Sequence, residues 1–418
     1  MIQSKSCKEQ GQTPAEPTFC SYFNRGECRS CNWIEQEYLG QLEKKENKIK
    51  EALSFFPAFQ LEKSIKSPLQ GFRNRAKMIV TGSVEKPVIG LLGEETLDQG
   101  RELLSCPIHH KKLNQIIAAL PEIISTYNLI PYRIYERKGE LKGLILFYSP
   151  ETNQSYLRFI LRSKECVARI KKLVPGFQKQ FPEVVCITAN IQPIPHAIQE
   201  GPEEIFLTEV QSIDLQLGAI RLKLAPQAFV QTNIHVATEL YQTAARWIGE
   251  AQRVCADSSN HGRAAGKAHF TKILELFCGQ GAFSLIAAHT LEGVAPASFL
   301  GIEINPEAVR TANDTAMTLG LSQVRFKASD ATQVFSDIES FQPDLILVNP
   351  PRRGLGDGVK TLKKIPPSHL IYSSCSIRTL AADLKVLAGN YHLKKVQLFD
   401  MFPHTEHFET LIWLERNS

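Results

Sequence analysis

"LIYSSCSIRTL" places Cys375 directly after an apolar run, where a strand would carry a thiol to the edge of a sheet. The later stretch "LFDMFPHTEHFETLIWL" offers His404, Glu406, His407 and Glu409 as acid–base groups. Glu409 opens an apolar run, so strand packing would fix its carboxylate better than those of its neighbours. His404 and His407 read as groups that orient it or as structural histidines. A cysteine nucleophile with a carboxylate base is one reading of the pair Cys375 and Glu409. For Cys375 taken alone, the competing reading is an inert core thiol.

What decides between these readings is the ligand that the surrounding motifs can hold. "ILELFCGQGAFSL" runs from an apolar strand into a Gly-rich turn and then a helix. Gly279 and Gly281 let that turn bend tightly and approach a ligand over the strand end. Glu303, in "LGIEINPEAV", ends the next strand 22 residues after Gly281, where an acidic side chain can accept from both hydroxyls of a ribose. No third glycine follows at the dinucleotide spacing, which favours an adenosine ligand without a pyrophosphate, S-adenosylmethionine (SAM), over NAD. Asp330 in "FKASDATQ" ends the third strand, near where an adenine edge would lie, or is an ordinary loop carboxylate. Asn349-Pro350-Pro351 ends the fourth, its prolines fixing the turn and removing backbone donors. Arg352 follows where amino-methyltransferases place an aromatic residue that stacks on the base, which argues against an exocyclic-amine target. Beside a SAM cleft, Cys375 gains a purpose. C5 of uracil is a poor nucleophile until a thiolate adds to C6, and a base such as Glu409 must then remove the C5 proton.

"TFCSYFNRGECRSCNW" gathers Cys20, Cys28 and Cys31 in a C-x7-C-x2-C arrangement. Zinc and cubane iron–sulfur sites both want four ligands. Cys106 in "LLSCPIHH", followed by Pro107, is the best fourth candidate; His109 or His110 could complete a zinc site instead. Spacing leaves the two metals open.

The elements around these groups divide the chain. Residues 1–18 are polar and predict a disordered leader, and residues 19–67 hold the cysteine stretch and a helical pattern from Trp33 to Phe56. The Lys44, Lys45, Lys48 and Lys50 face of that helix reads as solvated, with RNA contact as the other possibility. Residues 68–225 alternate β-like runs with turn signals and two helical stretches, an α+β domain; its run "GFRNRAK" (Arg73, Arg75, Lys77) suits RNA phosphates or a solvated edge. From 226 to 418, helix and buried strand alternate, predicting an α/β, mostly parallel, doubly wound Rossmann-like sheet. That part begins with a helix over 229–251, and 255–270 reads as a surface insertion. Hydrophobic residues make up 43% and charged residues 22% of the 418, enough core for several domains. Net charge is +5, and no apolar run reaches the roughly 18 residues of a membrane span. With no secretory h-region, ten cysteines in a cytoplasmic chain point to metal or catalysis before disulfides.

"FCGQGAF", "GIEINPEAV", "VNPPRRG", "YSSC" and "DMFPHTEHFE" together resemble the RNA uracil-5-methyltransferases. "C-x7-CRSCNW", "QGFRNRAKMIVTGSVEKP", "NIQPIPHAI" and "PQAFVQTN" are similar to the bacterial 23S ribosomal RNA branch of that family, over about residues 19–416. The resemblance implies a class I methyltransferase domain, SAM contacts from Gln231, Phe277, Glu303 and Asn349, nucleophile Cys375 and base Glu409. It also implies a [4Fe–4S] cluster on Cys20, Cys28, Cys31 and Cys106 rather than zinc. The expected partner is 23S rRNA, with no membrane and a monomeric protein, the target uridine being extruded from its stack. Alternatives are another 23S or tRNA uridine, or a non-catalytic iron–sulfur RNA-binding protein. The chain departs from the family at Ser376, where Asn is usual, and in its longer leader and the 255–270 segment.

Overall fold

Apolar runs of four to nine residues, most of them alternating with helices, build the C-terminal half as one sheet, the one expected to be catalytic. The computed structural model describes residues 17–92, 99–194, 200–260, 271–292, 297–331 and 335–417. The expected leader lies outside the described residues as far as residue 16, as does 261–270. Seven strands follow in chain order: β1 Lys272–Leu276, β2 Ser298–Glu303, β3 Val324–Ala328, β4 Leu345–Val348, β5 His369–Ser374, β6 Tyr391–Phe399 and β7 Glu409–Arg416. Their spatial order is 6-7-5-4-1-2-3, and Gln60–Leu61 extends the edge beyond β6. Neighbours among β1–β5 are parallel, whereas β7 runs antiparallel to both β5 and β6. Such a sheet is Rossmann-like, and its strand order reverses between β1 and β4, the place where open α/β sheets bind ligands.

The central half is a second sheet of seven strands, antiparallel except where Gln154–Leu161 and Val184–Ile191 pair in parallel around the helix Val167–Gln180. Leu113, Ile116, Ile117 and Leu120 of the helix Lys111–Thr126 are fully buried in its core. A small hairpin, Ile213–Leu217 with Ile220–Leu224, packs its alternate Ile and Leu residues into the core of the catalytic sheet.

Two helices differ from their sequence expectation. The helix expected from 229 begins at Ile234, leaving 229–233 as a loop, and it runs on to Asn260, through the start of the expected insertion. Asn74 explains the late start: its backbone N–H donates to Thr232 O and its side-chain oxygen accepts from Ile234 N–H, pulling the chain onto the central sheet. The N-terminal helix spans Tyr38–Ala52, shorter than the Trp33–Phe56 pattern. Its lysine face is not wholly solvated. Lys45 is completely buried and pairs at 2.6 Å with the equally buried Asp400, just after β6. Among the described residues no helix is long and apolar enough to cross a membrane.

Removing one partner of a buried ion pair strands the other charge. Lys45→Ala should therefore cost about 3–5 kcal/mol of unfolding free energy in a denaturant titration, and Lys45→Ala/Asp400→Ala less than the sum of its single changes.

Candidate functional site

The Gly-rich turn after β1 is held in a conformation few side chains adopt. Phe277 has φ 60° and Gly279 φ 54°, both left-handed, and the Phe277 backbone stores strain beside a cavity. Glu303 stabilises the turn: its two carboxylate oxygens accept from Gly279 N–H and Asn305 N–H, each at 3.0 Å. Below the turn, buried Glu275 accepts from the backbone and hydroxyl of Ser284, fixing the first turn of the helix Ala282–Thr290. Gly281 serves packing rather than the ligand: a Cβ there would lie 2.2 Å from the Phe326 ring, and the residue does not line the cavity.

That cavity, about 540 Å³, lies at the C-terminal edge of the sheet. Gln231, Phe277, Gly279, Glu303, Asp330 and Asn349 line one part, and Arg352, Cys375, Phe402 and Glu409 another. Phe229 and Thr232 also reach it from the 229–233 loop, Phe229 being 65% exposed and Thr232 Oγ1 buried without a protein partner. Sequence reasoning passed over both, although "PQAFVQTN" contains them; an exposed aromatic beside Gln231 was the available signal.

Cys375 and Glu409 meet because β5 and β7 are antiparallel. Their register pairs Ser373 with Leu411 and Ser374 with Thr410, so the next step sets Cys375 opposite Glu409. Ser373 Oγ donates to Glu409 Oε1 at 2.9 Å. Burial pushes the Glu409 carboxyl up to about 7, against the opposing pull of Ser373 and Arg352. Burial and the Glu409 charge raise the Cys375 thiol, while the Arg352 guanidinium, hydrogen-bonded to it, lowers it. The Arg352 turn is itself anchored, since Asp383 accepts from Leu355 N–H and Tyr372 O–H, and Thr379 Oγ1 donates to Arg352 O. Ser376 caps the helix Ile377–Leu387 by accepting from Thr379 N–H. Serine and asparagine are comparable N-caps, so this departure from the family keeps the local structure.

The other three acid–base candidates lie elsewhere. His404 is buried and donates from Nε2 to Leu69 O at 2.9 Å; Glu406 is exposed and pairs with Lys48; His407 is exposed.

Cys20, Cys28, Cys31 and Cys106 line a separate cavity of about 140 Å³, joined there by Arg73 and His109. Burial raises the Cys31 thiol to about 12 and Cys106 to about 11, the latter opposed by backbone N–H groups of Ile108 and His109 directed at its sulfur. His110 is used otherwise, capping a helix and stacking on Tyr148. Among the described residues no three His, Cys, Asp or Glu side chains are gathered as ligands of a single metal ion. The basic residues of "GFRNRAK" already have neighbours within the protein. Arg73 and Lys77 line the cysteine cavity, and Arg75 and Lys77 share the single carboxylate of Glu200 with Arg158.

Glu275 gives this site a pH signature. Its carboxyl is raised to about 7 by burial, so between the unfolded value of 4.5 and about 7 the folded chain holds a proton that the unfolded chain has lost. Stability contributed this way is full below 4.5 and is lost as pH rises through about 7. Melting curves between about pH 5 and pH 8 should fall more steeply for wild type than for Glu275→Gln.

The tRNA (uracil-5-)-methyltransferase family model matches residues 214–417. The chain is 40% identical over 396 residues to the 23S rRNA (uracil(747)-C(5))-methyltransferase RlmC of Escherichia coli O17:K52:H18 (strain UMN026 / ExPEC), covering 94% of this chain and 99% of that protein. The protein of the same description from Escherichia fergusonii is also 40% identical over 396 residues, with the same coverage. The structure of Pyrococcus abyssi tRNA (uracil-54, C5)-methyltransferase in complex with S-adenosyl-L-homocysteine matches in fold with a TM-score of 0.70, over 92% of this chain and 85% of that one at 23% identity. With that identity along nearly its whole length, the chain belongs to the RlmC family of 23S rRNA (uracil-C5)-methyltransferases, SAM-dependent enzymes of the class I fold.

Proposed function

We propose that this enzyme methylates C5 of one uridine in 23S rRNA, the position that its relatives' description gives as 747. The observation that carries the reading is the presence of Cys375 and Glu409 on facing strands of one cavity that also holds Glu303, Asp330 and Asn349. SAM, when bound, supplies an electrophilic methyl group; Gln231, Phe277, Gly279, Glu303, Asp330 and Asn349 are the residues available to hold it. The Cys375 thiolate would add to C6 of the extruded uracil, and the electron pair displaced toward C5 would form the new bond to the methyl carbon as the methyl–sulfur bond breaks, its pair returning to sulfur to leave a neutral thioether. Glu409 then takes the C5 proton, the C5–C6 double bond re-forms, and the thiolate departs. A carboxyl near 7 suits that task, because it is substantially ionised at neutral pH and still basic. Arg352 favours the thiolate that burial disfavours.

The four cysteines suit a [4Fe–4S] cluster. A cavity of about 140 Å³ walled by four sulfurs, a guanidinium and two N–H groups aimed at Cys106 Sγ fits several atoms rather than one ion. Cys20, Cys28, Cys31 and Cys106 would ligate it, and it would cross-link the N-terminal segment to the central sheet.

Labelled SAM and 23S rRNA, followed by mapping of the methylated nucleotide, tests the target; methyl incorporated only elsewhere overturns it. Cys375→Ala should abolish transfer while SAM affinity stays within about twofold of wild type. Glu409→Gln should trap a denaturation-resistant protein–RNA adduct. In wild type, release of that adduct should quicken as pH rises through about 7 as Glu409 ionises, a limb absent from the variant.

A further inference from the structure

The crossing between β6 and β7, residues 400–408, brings Phe402 and then Glu409 to the cleft. Much of what holds it comes from outside the catalytic sheet. Asp400 receives Lys45, and its N–H donates to Ile65 O at 2.9 Å. Phe402 O accepts from Lys45 Nζ at 3.2 Å, and Met401 O from Asn233 Nδ2 at 3.3 Å. His404 turns the chain at φ 65°, a left-handed conformation uncommon outside glycine though more accessible to His than to most side chains. The peptide groups at that bend close on the cysteine segment. His404 N–H donates to Gln41 Oε1 at 2.8 Å, and His404 O accepts from Trp33 N–H at 2.9 Å. Gln41 is 1% exposed and its Nε2 donates to Trp33 O and Gln36 O, so its amide clamps both chains at once. Trp33 lies two residues after Cys31, and Phe19, next to Cys20, packs its ring 5.1 Å from that of His404.

We infer that Gln41 is a positioning residue for the substrate half of the cleft, and that the four-cysteine site keeps this clamp in place. Phe277, Glu303 and Asn349 of the SAM half follow β1, β2 and β4, which take no bond from Gln41; Gln231 reaches that half from the 229–233 loop, held to the crossing by Asn233 and not by the Gln41 amide. Phe402 and Glu409 are reached by a crossing whose bend is closed by the segment the cysteines tie down. Loss of the clamp therefore loosens Phe402 and the approach to Glu409 without disturbing the cofactor cleft.

The role given to Glu409 rests on the proposed function, so the test separates the two. In hydrogen exchange on the full-length protein, Gln41→Ala should speed exchange of the 402–408 amides about tenfold while β1, β2 and β4 stay protected. SAM affinity should hold within about twofold while kcat on 23S rRNA falls. Cys31→Ser should show the same local signature. Unchanged protection of 402–408 in Gln41→Ala overturns the clamp, and in Cys31→Ser it overturns the link to the cysteines. A parallel loss of SAM affinity and kcat overturns the division of the cleft. Wild-type turnover by Glu409→Gln would sink the base assignment alone, because the exchange experiment judges the clamp without it.

Discussion

The antiparallel insertion of β7 between β5 and β6 is the constraint on which the site depends. In a parallel sheet every strand ends at the ligand edge and starts at the opposite one, so the first residue of a parallel strand cannot reach the cleft. Reversing one strand brings its first residue to that edge. Glu409 opens β7, and 34 residues earlier Cys375 follows the last residue of β5; the register Ser374–Thr410 makes them neighbours. The reversal keeps the sheet paired, because β7 is bonded to both flanking strands with one register shift, between Leu393 and Lys395 of β6. The meeting of Cys375 and Glu409 is thus set by backbone geometry, and side-chain packing has only to refine their approach.

The same edge shows how burial is divided between structure and chemistry. Glu275 and Glu409 are both buried carboxyls raised to about 7. Glu275 uses one oxygen on the peptide N–H and hydroxyl of Ser284 and does not line the cavity, so its burial serves the Gly-rich turn above it. Glu409 has a hydroxyl donor in Ser373 and opens onto the cavity beside Cys375 and Arg352. A shifted pKa alone would not tell the two apart; access to the cleft does.

The strands of the catalytic sheet, its Gly-rich turn and the four grouped cysteines were legible because each leaves a local trace: an unbroken apolar run, a glycine, a spacing. The direction of β7 was not, since apolar strands read alike whether parallel or antiparallel. The 229–233 loop read as helix because its apolar residues continue the helical period, and only Asn74, in the other sheet, shows why the helix starts later. Charge misled for a related reason. Lys45 looked solvated and Arg75 and Lys77 looked free for phosphate, because Asp400 and Glu200 are more than a hundred residues away in the chain.

Those distant partners bear on how the molecule is joined. A fully buried lysine–aspartate pair adds little net stability over an apolar pair of similar volume, but it penalises any packing that separates its members. Lys45 and Asp400 thereby fix one orientation of the N-terminal helix on the β6–β7 crossing, and the Gln41 amide and Trp33 backbone complete it with directional bonds. The cysteines act at the other end of the same segment, against Cys106 and Arg73 of the central half. A single stretch of about fifty residues is therefore pinned both to the central sheet and to the crossing that carries Phe402. Its geometry couples the relation between the two halves to the part of the cavity lined by Phe402, while Phe277, Glu303 and Asn349 stay with the sheet that carries them.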